Sequence, residues 1–216
     1  MHARWLILAA ALGGTAAPLG GQQLEPPSDW RWVTDRPAEL VGGDSIPEAG
    51  WRFVTMVPGW HVTTGPGAIM YRPGADVEGR FVVESQIFIF PGDSQEEYGI
   101  FVGGKNLEQN DRTYLAFVLR RDGSAAVLHR AGRETHLLSP WARHDSIAVA
   151  SPDVPKNVLR VIGDRARVSF TVNGQEIASL PRADLPVEGT VGFRIGAGMN
   201  LHAVTLDVTR RLAETK

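Results

Sequence analysis

The chain has 216 residues, with 22 Lys and Arg against 24 Asp and Glu, and a formal net charge of −2 at pH 7. That balance excludes recruitment to nucleic acid or an anionic membrane by bulk charge. There is no cysteine, which excludes disulfide staples, thiolate metal sites and the acylated cysteine of a lipoprotein.

Residues 1–21 carry the pattern of a secretory signal peptide. Arg4 precedes an apolar run over 5–12, and Thr15-Ala-Ala-Pro-Leu-Gly-Gly supplies a small-residue exit. The run is short for a bilayer span of about 20 residues, and Gly13, Gly14 and Pro18 interrupt it. Cleavage is expected after Gly21, leaving no membrane span and about 195 residues, enough for one sizeable core. Asn106, Asn110, Asn157, Asn173 and Asn200 all lack a hydroxyl residue two places on, so no N-glycosylation acceptor is present. Both absences fit bacterial export, to the periplasm or the medium.

Residues 22–50 are rich in Pro, Gly and acids, with Trp30 and Trp32 as isolated anchors. This reads as a lead segment that packs on the domain. Short strands follow over 51–57, 60–64 and 68–71, parted by Pro58-Gly59 and Gly65-Pro66-Gly67. Over 80–90, Phe81, Val83, Ile87 and Ile89 share one face while Arg80, Glu84 and Gln86 share the other. Strands over 98–103, 113–120 and 125–130 continue the series, the last two joined by Asp122-Gly123. Residues 139–156 are the least strand-like, and a short helix or a long loop is expected there.

From 157 the closing strands begin. Val168, Phe170 and Val172 alternate with Arg167, Ser169 and Thr171, and Asn173-Gly174 then suits a two-residue hairpin turn. The return strand covers 177–180. Val191, Phe193 and Ile195 face one way, with Thr190 and Arg194 opposite. His202 is in phase with Val204, Leu206 and Val208 on a final strand. With no sustained helical period and no repeat, the pattern predicts an all-β, antiparallel two-sheet jelly-roll sandwich over 51–210, with a tail at 211–216.

Three blocks together resemble the concanavalin A-like lectin/glucanase superfamily: YGIFVGGKNLE from Tyr98, TYLAFVLRRDGSAAVLHR from Thr113, and NVLRVIGDRARVSFTVNGQEI from Asn157 with its GTVGFRIG sequel. The nearest branches are laminin-G-like domains and the secreted bacterial domain known as 3-keto-disaccharide hydrolase. The resemblance covers about 51–208. It implies a sugar-leaning scaffold that binds a glycan or a glycosylated partner, or else hydrolyses a sugar glycoside. Its motifs are structural, and a shared fold does not carry an activity with it.

Glycosidases of this superfamily carry Glu-x-Asp-x-x-Glu on one strand, a nucleophile and an acid flanking one bond. No such triplet occurs, and Glu84 stands alone on its strand. Glu84, His129 and His202 are the only candidates for a catalytic cluster. The stretch from Gly99 to Asn106 has P-loop spacing, but Asn106 replaces the metal-binding hydroxyl and no helix follows. Gly43-Asp44-Ser45-Ile46 resembles an esterase nucleophile block without its α/β sheet, and reads as a polar turn. The histidines lack metal spacing. Related domains place a carboxylate in the last strand for a structural calcium. His202-Ala203-Val204 offers none and Asp207 lies on the opposite face, so no cofactor is expected and a structural calcium stays open but unsupported.

A binding face is what remains. Glu84, Gln86, Arg120, Trp141, Arg194 and His202 are the ligand-binding candidates, because aromatic rings stack on sugar faces while planar polar groups take paired hydroxyls. Trp60, Tyr71 and Tyr114 are further stacking residues. Against this, Trp51, Trp60 and Trp141 also suit plugs at the sandwich edges, and Arg and Glu suit ordinary cross-strand pairs. A protein–protein module without a pocket is the third reading, and an exposed apolar patch would mark it.

Overall fold

The computed structural model describes residues 26–42, 46–149 and 154–211. The expected signal peptide, the Gly43-Asp44-Ser45 turn and most of the C-terminal tail lie outside the described residues. The strands, in chain order, are β1 (Arg31–Thr34), β2 (Glu39–Leu40), β3 (Gly50–Thr55), β4 (Trp60–Thr64), β5 (Ala68–Val77) and β6 (Arg80–Ile89). Next come β7 (Tyr98–Lys105), β8 (Thr113–Leu119), β9 (Ser124–Ala131), β10 (Glu134–Arg143) and β11 (Lys156–Gly163). The last are β12 (Arg167–Val172), β13 (Gln175–Pro181), β14 (Gly189–Ile195), β15 (Asn200–Ala203) and β16 (Asp207–Arg211).

They form two sheets. One has seven strands in the order β1-β5-β14-β7-β8-β9-β10. The other runs β13-β12-β11-β6-β15-β4-β3-β2, with β16 also paired to β6. Every pairing is antiparallel except the short β2–β3 ladder. The fold is an all-β jelly-roll sandwich.

Alternation explains how the sheets meet. On β6 every second residue from Phe81 to Ile89 is buried, and Arg80, Val82, Glu84, Gln86 and Phe88 point away from the core. Phe117 of β8 meets Phe170 of β12 across the sandwich, their ring centroids 5.5 Å apart. Each such ring, taken out of water, contributes roughly 1.5–3 kcal/mol. The Asn173-Gly174 turn has φ of 51° and 84°, the left-handed pair the hairpin requires.

Three local expectations change. Residues 139–143 are strand, the end of β10, and the region holds no helix among the described residues. The alternation is unreadable there because β10 is an edge strand with register shifts between Leu137 and Ala142 and a proline at 140, which only an edge tolerates. His202 and Val208 do not share one strand: the chain breaks after Ala203, and β15 and β16 pair with successive halves of β6. The lead segment packs on the domain as strands, β1 against β5 and β2 against β3. Its tryptophans are plugs, Trp32 stacked on Trp51 at 4.2 Å and Trp30 against Trp60 at 4.7 Å.

Asn157 ties the hairpin to the rest. Fully buried, it accepts from the Ala148 N–H at 2.9 Å and the Asn173 amide at 3.0 Å. It donates to the Ala148 carbonyl at 2.9 Å and the Tyr98 hydroxyl at 3.2 Å. Asn157→Ala strands the Ala148 N–H and carbonyl and the Tyr98 hydroxyl without this partner, at roughly 1–3 kcal/mol for each stranded group before relaxation. Asn173 keeps its bond to the Ser146 carbonyl. We expect a loss of about 3 kcal/mol in chemical denaturation, with early proteolysis near residue 148. An unchanged midpoint would contradict this role.

Candidate functional site

The seven-stranded sheet is apolar on both faces. Its inner face enters the sandwich core with Met70, Tyr98, Ile100, Leu115, Phe117, Val191 and Phe193. Its outer face carries a second cluster: Ile69, Tyr71, Phe101, Leu107, Tyr114, Ala116, Val118 and Ala126, with Val33, Leu128 and Trp141 against it. Phe101 and Val118 on that outer face have no exposed surface at all. Glycines let the rings lie down on the floor. The Phe101 ring occupies the space over Gly192, where a Cβ would come within 2.5 Å of it.

Polar groups gather at one end of this floor. Arg194 of β14 lies opposite Ile69 of β5 and Gly99 of β7, and Val118 and Ala126 continue the row. Its guanidinium donates from Nη1 to Asp35 at 2.7 Å and from Nε to Glu97 at 3.1 Å. The Arg194 and Glu97 side chains are each only 14% exposed. Gly67 makes room for the pair, since a Cβ there would meet Asp35 Oδ2 at 2.5 Å. Because Tyr98 pairs with Leu119, Glu97 and Arg120 sit at matching positions just past their strands. Arg120 lies over the Trp141 ring, its guanidinium carbon 3.8 Å from the centroid.

The electrostatics follow from burial. Burial works against the charge of Arg194, but Tyr114, Asp35 and Glu97 outweigh it and raise its pKa. Burial likewise raises the pKa of Tyr114, with Asp35 adding and Arg194 opposing. Its hydroxyl has no hydrogen-bond partner among the described residues. Tyr71 is pushed up to about 12 by burial and by its 2.9 Å hydrogen bond to Glu108.

The six sequence candidates do not share one concavity. Arg120, Trp141 and Arg194 come together on the outer face of the seven-stranded sheet. Glu84, Gln86 and His202 lie on the outer face of the other sheet, across the whole sandwich. There Glu84 is engaged in an ion pair with Arg160, and His202 Nε2 lies 2.9 Å from the Pro58 carbonyl. The catalytic trio disperses for the same reason, since His129 belongs to β9 of the seven-stranded sheet and Glu84 and His202 to its opposite. Among the described residues no group of three His, Asp or Glu could hold a metal ion.

Asp35 and Glu97 escaped the sequence reading. Asp35 sits in what reads as a lead segment, and Glu97 in a run that reads as solvated loop. A signal for Glu97 was available: Tyr98, Ile100 and Val102 face the core, so Glu97, Gly99 and Phe101 must face out together.

Two measurements check this account. Arg194→Met leaves two half-sheltered carboxylates facing each other, and should cost about 3–5 kcal/mol of stability; adding Asp35→Asn and Glu97→Gln should recover part of it. A variant as stable as the parent would contradict the clamp. The chain's three tyrosines all have raised pKa values, Tyr98 reaching about 12 chiefly through burial. Little phenolate absorbance should therefore appear at the ordinary value of about 10. The unfolded chain ionises there, so this contribution to stability is full below about pH 10 and lost as pH rises toward 12. Three phenolates titrating near 10 in the folded protein would refute it.

No family model and no curated protein matches the chain. Solved structures do. Carbohydrate binding module CBM66 from Bacillus subtilis superposes with a TM-score of 0.61 at 10% identity, over 83% of this chain and 95% of that one. The exoplasmic/lumenal domain of VIP36, in a form bound to Ca2+ and Man3GlcNAc, gives 0.59 at 9% identity, over 87% and 86%. A GH16 protein of the Bacteroides ovatus mixed linkage glucan PUL gives 0.57 at 8% identity, over 86% and 97%. At such identities the likeness concerns the backbone: the chain has the concanavalin A-like jelly-roll fold.

Proposed function

We propose that this protein is an exported carbohydrate-binding module that takes its glycan on the outer face of the seven-stranded sheet. One observation carries the reading. On an otherwise apolar floor, Arg194 is clamped by Asp35 and Glu97, with the Arg120–Trp141 stack at the same end and Tyr114, whose hydroxyl has no hydrogen-bond partner among the described residues, further along the same face. A sugar offers an apolar ring face and pairs of hydroxyls, which call for a fixed aromatic and fixed planar donors. Rigidity matters because a clamped arginine loses little further side-chain entropy on binding. The superposing structures include a carbohydrate binding module and a domain bound to Man3GlcNAc, which supports the same class of ligand. Export rests on the N-terminal sequence pattern, and no helix among the described residues is long and apolar enough to cross a membrane.

A glycan array followed by calorimetry on the hit, using the exported protein, tests the reading. Tyr114→Phe removes a hydroxyl that supports no hydrogen bond among the described residues. It should leave stability within about 0.5 kcal/mol and weaken binding by roughly 1 kcal/mol. Trp141→Ala should weaken it by roughly 1–2 kcal/mol. Glu84→Gln and His202→Ala, on the opposite sheet, should change affinity little. An array without hits, or binding lost only in the Glu84 and His202 variants, would overturn the proposal.

A further inference from the structure

The two arginines of the site are in different states. Arg194 is charge-paired, with a carboxylate on each side. Among the described residues no carboxylate lies within ion-pair distance of Arg120, and the Asp122 charge acts on it only from further away. Among the described residues no hydrogen bond or ion pair engages its side chain, and its Nε is buried without a partner. Glu97 across the ladder and Asp122 two residues on are engaged with other groups. Glu97 accepts from Arg194. Asp122 accepts from the Ser124 N–H at 2.9 Å and its hydroxyl at 2.6 Å, and lies 3.8 Å from Arg143. What Arg120 does have is the Trp141 ring beneath it. The ring fixes the plane of the guanidinium and removes water from one of its faces. Its two Nη groups, unlike its Nε, are not completely buried.

A guanidinium stacked on a ring, with no carboxylate in ion-pair contact among the described residues and its Nη groups not fully buried, is shaped for a planar anion. Two parallel N–H donors match the two oxygens of a carboxylate, a geometry that no single sugar hydroxyl reproduces. We propose that the glycan taken by this groove is acidic, a uronic-acid-containing oligosaccharide whose carboxylate docks on Arg120 while its ring lies along the Tyr114–Arg194 floor. This inference rests on the glycan-binding reading of the same face and narrows it to one chemical class. The floor then contacts the sugar ring, and Arg120 selects the acid.

The test compares each ligand with its own neutral twin. The exported protein is titrated calorimetrically with oligomers of galacturonate, glucuronate, mannuronate and guluronate. The same oligomers are titrated again after reduction of their carboxyl groups to alcohols, which keeps ring shape and linkage. At least one uronide should bind roughly tenfold or more tightly than its reduced form. Arg120→Gln should erase that difference, and Arg120→Lys, which keeps the charge but not the fork, should retain only part of it. Should Arg120→Gln fail to fold, the comparison on the parent protein decides alone. Equal affinity for acidic and reduced forms, or binding of neutral glycans only, overturns the inference and leaves the glycan-binding reading standing. If neither the uronides nor a neutral glycan array bind, both fall.

Discussion

A sheet that is apolar on both faces has to find cover twice, and in this protein only one of its faces has another sheet to pack on. The inner face of the seven-stranded sheet is met by β6, β11 and β12 of its partner. The outer face, with Phe101 and Val118 fully buried, is covered in part by the side chains of its own margins: Tyr71 and Tyr114 toward one end, Arg194, Arg120 and Trp141 toward the other. The polar groups of the site serve that cover, and the charge of Arg194 is neutralised where it lies. Removing an arginine from water is costly unless it is paired and hydrogen-bonded. Arg194 meets that condition through Asp35 and Glu97, which arrive from the N-terminal segment and from the entry to β7.

The opposite sheet obeys the ordinary rule. Its outer face is wet, and its polar residues pair across strands, Glu84 with Arg160 and Arg167 with Ser179 at 2.8 Å. Such exposed pairs contribute little to stability, and each leaves no donor fixed in advance for a ligand. The two faces therefore differ in kind. One presents solvated pairs. The other presents groups whose geometry is set by burial before any ligand arrives, which is the property that lowers the entropic cost of recognition. The proposal that places the ligand on the seven-stranded face rests on this asymmetry.

Much of the scaffold was legible in the chain alone. Alternation at 81–89 and 168–172 placed two strands and their buried faces, and Asn173-Gly174 placed a hairpin whose positive φ values the structure shows. Those signals are local: period two and a left-handed turn depend on neighbours only a few residues away. The reading failed where local signals compete. Pro140 and the bulges of β10 hid a strand, and the near-continuous apolar phase from His202 to Val208 hid a break that β6 imposes by pairing with two strands in succession.

The candidate site divides the same way. Arg120, Trp141 and Arg194 could be picked out from composition and phase, since a cation or a tryptophan on the face away from a core strand asks for a partner. Their separation from Glu84, Gln86 and His202 could not, because strand phase says which side of its own sheet a residue takes and nothing about which sheet that is. Asp35 and Glu97 were out of reach for a related reason: Asp35 is 159 positions from the arginine it neutralises. By itself the sequence determined an all-β sandwich and its hairpins, through interactions spanning a few residues. Only the tertiary structure decided which face is buried twice, which carboxylates Arg194 keeps and that none of the described ones pairs with Arg120, because those depend on strands far apart in the chain lying side by side.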